Sequence, residues 1–395
     1  MLRPRACRAF GTIKPHDLTA LPRLRSVPCL LMRGGTSRGP YFLASDLPTE
    51  RWTPFLLDVM GSPHALQITG LGGGNSLTSK VGIMAPSQHG EDVDYTFAQV
   101  RVDEAVVKWK ANCGNILAGA SWPVGPAAIM RGLVKAEDPE TKIRIFNTNT
   151  KTRALVTLQT PGGQLTFDGP TAIDGVPGTS APIKVTFLDV LGARTGKIFP
   201  TGHRSELIDG VRVTCIDSAN PVVLMHFEQL GLETGHEAVE ELNHDLPMLQ
   251  RLEHIRQEAS LRMALGPAQG KNLPKVAVLS PPSDGGSICS RYFVPDCCHA
   301  AHAVTGAIAI AVATTFDGTV AEEVAVQQEG PLRRVEVEHP SGRIQLDLVL
   351  DLSGSKVGRS TGAKVNGRVK EASLIRTAKP IMDGQVFVCS RHFEG

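Results

Sequence analysis

The chain is expected to fold as an α+β protein of two similar β-rich domains, each curled around one central helix. Three observations predict this: short β-like runs punctuated by glycine and proline from Val27 onward, few helical segments, and two helices that are apolar nearly all round. A helix without a polar face is normally buried, and one built of small residues can be wrapped closely by sheet. At 395 residues the chain exceeds the size at which one core stops growing, so two domains are expected. Residues 1–26 read as a disordered extension, 27–190 as an N-terminal domain and 191–395 as a C-terminal domain whose last residues return to the first.

The extension carries Arg3, Arg5, Arg8, Arg23 and Arg25 against a single acidic residue, Asp17. A transit peptide has that bias, but there is no clear amphipathic face and serine is scarce. Further on, Asp94–Val102 and Ala105–Trp109 around Asp103-Glu104 predict a hairpin. Single strands are predicted at Lys142–Phe146, Ala154–Gln159, Ile183–Leu188, Val211–Ile216 and Val276–Leu279. Met248, Leu252, Ile255 and Ala259 are spaced 4, 3, 4, which predicts an amphipathic helix starting near Pro247. The two apolar helices are predicted over Asn115–Leu133 and Ala300–Thr314. Arg334–Glu338 and Arg343–Leu348, joined by His339-Pro340-Ser341-Gly342, predict a second hairpin.

Composition narrows the function. A net charge of +2 with interspersed charges gives no footprint for nucleic acid, and no apolar segment approaches the roughly 20 residues a bilayer requires. Eight cysteines without regular spacing, two of them vicinal at Cys297-Cys298, fit a reducing compartment, so a cytoplasmic protein is expected.

Two stretches carry chemistry. Gly70–Lys80 crowds Asn75, Ser76, Thr78, Ser79 and Lys80 after a glycine run, and Asn112-Cys113-Gly114-Asn115 sets a thiol among small polar residues. Glycines let backbone N–H groups approach an anion, and lysine acts as a base once its pKa is lowered. A thiol before a helix N-terminus is favoured as thiolate. The first stretch lacks the order of a P-loop, because its lysine comes last, and Asn75 replaces the third glycine of a dinucleotide fingerprint. Its bland alternative is a surface loop; that of Cys113 is a small buried hydrophobe. Arg33–Gly39 adds two arginines and two hydroxyls on another glycine turn, suited to carboxylates. Asp296–His302 is a poor zinc site, since adjacent cysteines do not easily share one tetrahedron. His299 and His302 are instead expected at the start of the second buried helix facing a shared cleft, with a satisfied core histidine as the alternative for His302. His203-Arg204 and Asp217–Pro221 are weaker candidates.

Val27–Gly39, Gly70–Lys80 with the following valine, and Asn112–Asn115 together resemble the PrpF family, and the likeness extends through Asp217–Pro221, Pro274-Lys275 and Arg291–Ala307 toward the C-terminus. The resemblance implies a diaminopimelate-epimerase-like fold with its active site in the cleft between the domains. It also implies a cofactor-independent isomerase or tautomerase of a small unsaturated di- or tricarboxylate. Residues Tyr41–Pro48, Asn115–Gly119 and Arg291–Pro295 favour 4-oxalomesaconate, with 2-methylaconitate or aconitate as the alternative. Lys80 and Cys113 are expected as the proton-transfer pair, the same two positions the resemblance implies. Arg33, Thr36, Ser37, Asn75, Ser76, Ser79, Asn115 and His299 are expected to bind carboxylates. No cofactor, metal, nucleic acid or membrane partner is expected; the small polycarboxylate is the partner, and a homodimer is allowed.

Two readings of another class stay open: an amino-acid epimerase using Cys113 with Cys298, and a non-catalytic carboxylate-binding accessory protein. Ala120–Pro123 looks inserted relative to the family pattern, and Met130 stands where an acidic residue would be usual. Pro123 and Pro126 would break or restart the first central helix.

Overall fold

The computed structural model describes residues 23–109, 123–188, 191–294, 296–351 and 368–394. Among them seventeen strands join one mixed sheet and two form a separate ribbon. The N-terminal half contributes β1 (Leu24–Gly34), β2 (Ser37–Leu43), α1 (Trp52–Met60), β3 (Lys80–Pro86), β4 (Val93–Val100), β5 (Val107–Lys108), α2 (Val124–Met130), β6 (Glu140–Asn147), β7 (Thr152–Gln159), the ribbon β8 (Thr171–Ile173) and β9 (Val176–Ser180), and β10 (Ile183–Phe187). The C-terminal half contributes β11 (Glu206–Ile208), β12 (Val211–Ser218), β13 (Asn220–His226), α3 (Val239–His244), α4 (Leu246–Arg262), β14 (Lys275–Ser280), β15 (Ile288–Phe293), α5 (Val304–Ala313), α6 (Val320–Val324), β16 (Leu332–His339), β17 (Gly342–Asp351), β18 (Arg368–Arg376) and β19 (Ala378–Cys389).

The strands form where alternation predicts them. β4 and β5 pair through Val100↔Val107, and β16 and β17 close on Pro340-Ser341 with His339 opposite Gly342. The halves are stitched twice: β10 lies between β7 and β18, and β19 runs antiparallel to the whole of β1.

α5 is buried at every position, because Ala, Gly, Ile and Val offer water nothing polar and Thr305 Oγ1 accepts from Asn220. Gly306 shows why small residues are needed there: a Cβ at that position would fall 2.3 Å from the Tyr292 ring. α2 and α5 share one core with the inner faces of the strands. α4 covers a second core over β12–β15, and α1 a third over β1–β3 and β19. At the start of α4, Asp245 accepts from Met248 N at 3.0 Å, so the chain enters the helix through an acidic cap.

Two expected helices differ in extent. α5 starts at Val304 rather than Ala300, since the residues before it are spent on other contacts described below. The first buried helix is seen from Val124, entered through Pro123, while its expected beginning at Asn115 lies outside the described residues. The described cysteines are all free thiols, Cys297 and Cys298 included. Among the described residues no helix is long and apolar enough to cross a membrane.

Candidate active site

Lys80 opens β3 at the end of the glycine-rich loop, directly opposite Gln99 of β4. Its Nζ donates to Gln99 Oε1 at 2.6 Å, and the Phe97 ring lies 5.7 Å away. A recess beside it is lined by Met32, Gly34, Ser37, Arg38, Gly39, Tyr41, Lys80, Val81 and Gly82. Ser37, expected to bind carboxylate, and Lys80, expected to transfer a proton, therefore share one pocket. Arg38 shares it too, and its Nε is buried with no hydrogen-bond partner among the described residues. β2 comes this close only because Gly39 has no side chain: a Cβ there would lie 1.9 Å from Lys80 O.

Two glutamines hold the loop, and sequence reasoning missed both. Gln99 Nε2 donates to Ser76 O at 3.2 Å and Ser79 O at 2.9 Å. Gln67, 1 % exposed, donates to Ser79 Oγ at 2.6 Å and Ser62 Oγ at 2.9 Å, while its Oε1 accepts from Gly74 N at 3.1 Å. The expected binding residues of this loop divide accordingly. Ser79 is buried beneath the loop on Gln67, whereas Asn75 and Ser76 are exposed. Asn75 Oδ1 accepts from Leu77 N and Thr78 N, an Asx turn that shapes the loop.

Arg33 braces the turn rather than pointing its donors outward. Its Nη1 donates to Gly35 O, Thr377 O and Thr377 Oγ1, and its Nη2 to Ser180 Oγ; burial lowers its pKa. Exposed Thr36 has its methyl group against Gly175 at the tip of the β8–β9 ribbon. The preceding residue, Asp174, accepts from Arg343 N at 2.6 Å. The ribbon thus runs from the β1–β2 turn to the β16–β17 turn of the other half.

At that junction lies a group of basic side chains, His299, His339, Lys275 and Arg376. His299 is lowered in pKa by burial and then by Lys275. His339, pushed down to about 4 chiefly by burial, feels Asp174 in the opposite sense and His299, Arg376 and Arg291 in the same sense. Burial lowers Arg376 to about 10. Lys275 is 1 % exposed, and its motif was the visible signal in the sequence; His339 was legible only as a turn residue. His299 N donates to Tyr292 O and its Nδ1 accepts from Ala301 N. His302 is the satisfied core histidine. It is held between Ala303 O at 2.8 Å and Ser290 Oγ at 3.0 Å, and burial pushes it down to about 3.

The remaining candidates are structural in their contacts. Asp217 Oδ2 accepts from Arg194 N, Thr195 N and Thr195 Oγ1, and Asn220 donates to Thr305 Oγ1 at the side of α5. Arg204 donates to Asp317 O. Cys298 packs in the α4 core, with its thiol pushed up to about 11 by burial. His236, Cys289 and Glu338 bring ligand-type atoms within 4.8 Å of one another. Yet Glu338 already accepts from Ser283 N, Asp284 N and Gly286 N, and the Arg291 guanidinium lies 3.4 Å from Cys289 Sγ. A carboxylate already taken up by backbone donors and a thiol beside a guanidinium make a poor metal site. Cys113 and Asn115 lie outside the described residues.

Comparison with known proteins places this architecture. The family model described as PrpF protein matches residues 24–389. A 4-oxalomesaconate tautomerase of Pseudomonas putida is 46% identical over 365 residues, covering 92% of this chain and 96% of the relative. A (4E)-oxalomesaconate Delta-isomerase of a Novosphingobium species is 44% identical over 366 residues, covering 92% and 98%. The crystal structure of a methylitaconate-delta-isomerase superposes with a TM-score of 0.80 at 34% identity, covering 94% of this chain and 98% of that one. The chain belongs to the PrpF family, and it is an isomerase.

Proposed function

We propose that this isomerase moves a proton within a small unsaturated di- or tricarboxylate, with 4-oxalomesaconate as the first candidate and 2-methylaconitate or aconitate as the alternative. The observation that carries the reading is the recess lined by Ser37, Arg38 and Lys80 together. A lysine and an arginine lining one recess suit an anion that also surrenders a proton. Lys275 and Arg376 add positive charge where the β8–β9 ribbon joins the halves, beside the imidazoles of His299 and His339, as a second carboxylate would require. The names of the P. putida and Novosphingobium relatives favour oxalomesaconate.

In the reaction, one base takes a proton from a carbon flanked by carboxylate and conjugated carbonyl or alkene. The delocalised dienolate is then reprotonated at another carbon. Lys80 and Cys113 are the two proton-transfer groups, and donors fixed on the developing oxyanion lower the barrier. The epimerase alternative gains no support from Cys298, whose high pKa and packing in the α4 core do not suit a thiolate base.

Incubating the protein in D₂O with oxalomesaconate, aconitate and methylaconitate, with NMR detection, tests the reading and identifies the substrate. Lys80→Ala is expected to abolish exchange and Cys113→Ser to leave at most a residue of it. Near-normal exchange in folded Lys80→Ala would refute the base assignment; binding without exchange in the parent protein would point to the accessory role.

A further inference from the structure

We infer that Gln99 is a positioning residue for Lys80, holding the amine by a neutral acceptor so that it remains able to shed its proton. The inference rests on Lys80 being the base proposed above.

Geometry fixes which end of the amide faces the lysine. Gln99 Nε2 lies against two carbonyl oxygens, Ser76 O at 3.2 Å and Ser79 O at 2.9 Å, so the other atom must be oxygen. That Oε1 meets Lys80 Nζ at 2.6 Å. Cross-strand register brings the two side chains together, because Lys80 and Gln99 are directly opposed on β3 and β4. One side chain therefore ties the loop carbonyls before Lys80 to the amine itself, and loop position and amine position move together.

The acceptor's charge is what matters chemically. A carboxylate at this distance would hold the lysine as ammonium, raising its pKa by roughly 1–3 units. A neutral amide orients the amine with a far smaller bias toward the charged form. Facing the same recess are Arg38 and Tyr41 of β2, and Lys108 of β5 is paired with Gln99 on its far side. Arg38 and Lys108 are cations, and positive charge nearby opposes protonation of an amine.

The test uses two substitutions of opposite sign and two readouts. Gln99→Glu is expected to raise the Lys80 pKa by about one unit or more, and Gln99→Leu, which removes an acceptor from the charged form, to lower it. Titration of the protein labelled with carbon-13 lysine reads that pKa directly, the Lys80 signal being assigned by its loss in Lys80→Ala. In the exchange assay the acid limb of kcat/KM should move up in the first variant and down in the second. Gln67→Ala loosens the loop without touching the amine, so it should lower turnover and leave the titration in place. Titrations of folded Gln99→Glu and Gln99→Leu that coincide with the parent would overturn the inference, as would an equal displacement in Gln67→Ala. If the parent exchanges no proton with any of the three acids, the functional reading fails while the titration still judges Gln99.

Discussion

Replacing Gly39 by alanine tests the close approach on which the Lys80 recess depends. A Cβ at this position would stand 1.9 Å from Lys80 O and 2.8 Å from Lys80 C, both backbone atoms that no rotamer change can move. Ordinary contact begins near 3.4 Å, so the backbones of β2 and β3 must part by about 1.5 Å. The strands are held in parallel register from Tyr41↔Gly82 onward, so the opening falls on Lys80 itself. Overpacking of this kind costs about 1–3 kcal/mol of stability. Displacing a reacting group by about 1 Å costs on the order of 100-fold in rate, or about 2.7 kcal/mol of transition-state stabilisation. Proton exchange measured with the acid that the parent turns over, alongside a thermal melt followed by circular dichroism, reads both effects. Gly39→Ala is expected to melt lower and to lose roughly 100-fold in turnover. A variant with unchanged melting temperature and turnover within about threefold of the parent would show that the strand spacing does not position the amine.

Other outcomes follow from the buried polar groups. His302 is lowered to about 3 by burial, so between that pH and about 6.5 the unfolded chain binds a proton that the folded chain refuses. Its contribution is therefore complete above about pH 6.5 and drains as the pH falls, by about 1.4 kcal/mol per unit. Urea midpoints at pH 7, 6 and 5 should decline, and His302→Gln should flatten the decline; parallel slopes would contradict this. Arg256, 2 % exposed, donates to Ala268 O, Lys271 O and Pro274 O and pairs with Glu253. Arg256→Ala is expected to cost about 3–5 kcal/mol in equilibrium unfolding, and a loss under about 1 kcal/mol would mean the loop before Lys275 is held by something else.

What the sequence discloses depends on the range of the interaction. Alternation and the 4, 3, 4 spacing are local, so β6, β7, β12, the β16–β17 hairpin and α4 were all legible. α1 was missed although Phe55, Leu56, Val59 and Met60 fall on one helical face, because it is only nine residues long and sits in a glycine- and proline-punctuated stretch read as strand and turn. The start of α5 was read too early because an apolar composition does not reveal that His302 bonds backward to Ser290. At the site, Lys80 and Ser37 announced themselves within short motifs, whereas Gln67 and Gln99 carry no motif. Their partners are loop carbonyls and a cross-strand amine, visible only once the β3–β4 register is known. The β8–β9 ribbon was unreadable for the same reason, since Asp174 and Gly175 gain meaning from Arg343 and Thr36 far away in sequence.

The recess resolves a conflict that any lysine base faces in the proposed reaction. The amine must be neutral to accept a proton, yet its substrate is an anion, and a carboxylate nearby favours ammonium. Arg38 lies in the same recess with an Nε that the described residues leave unmatched. If Lys80 is the base, that cation would disfavour a second positive charge before substrate arrives, and the neutral Gln99 acceptor would not oppose it. A carboxylate paired with Arg38 would cancel that repulsion once the carbon acid is in place. That order requires a guanidinium in the recess and an amide, not a carboxylate, opposite Lys80 on β4.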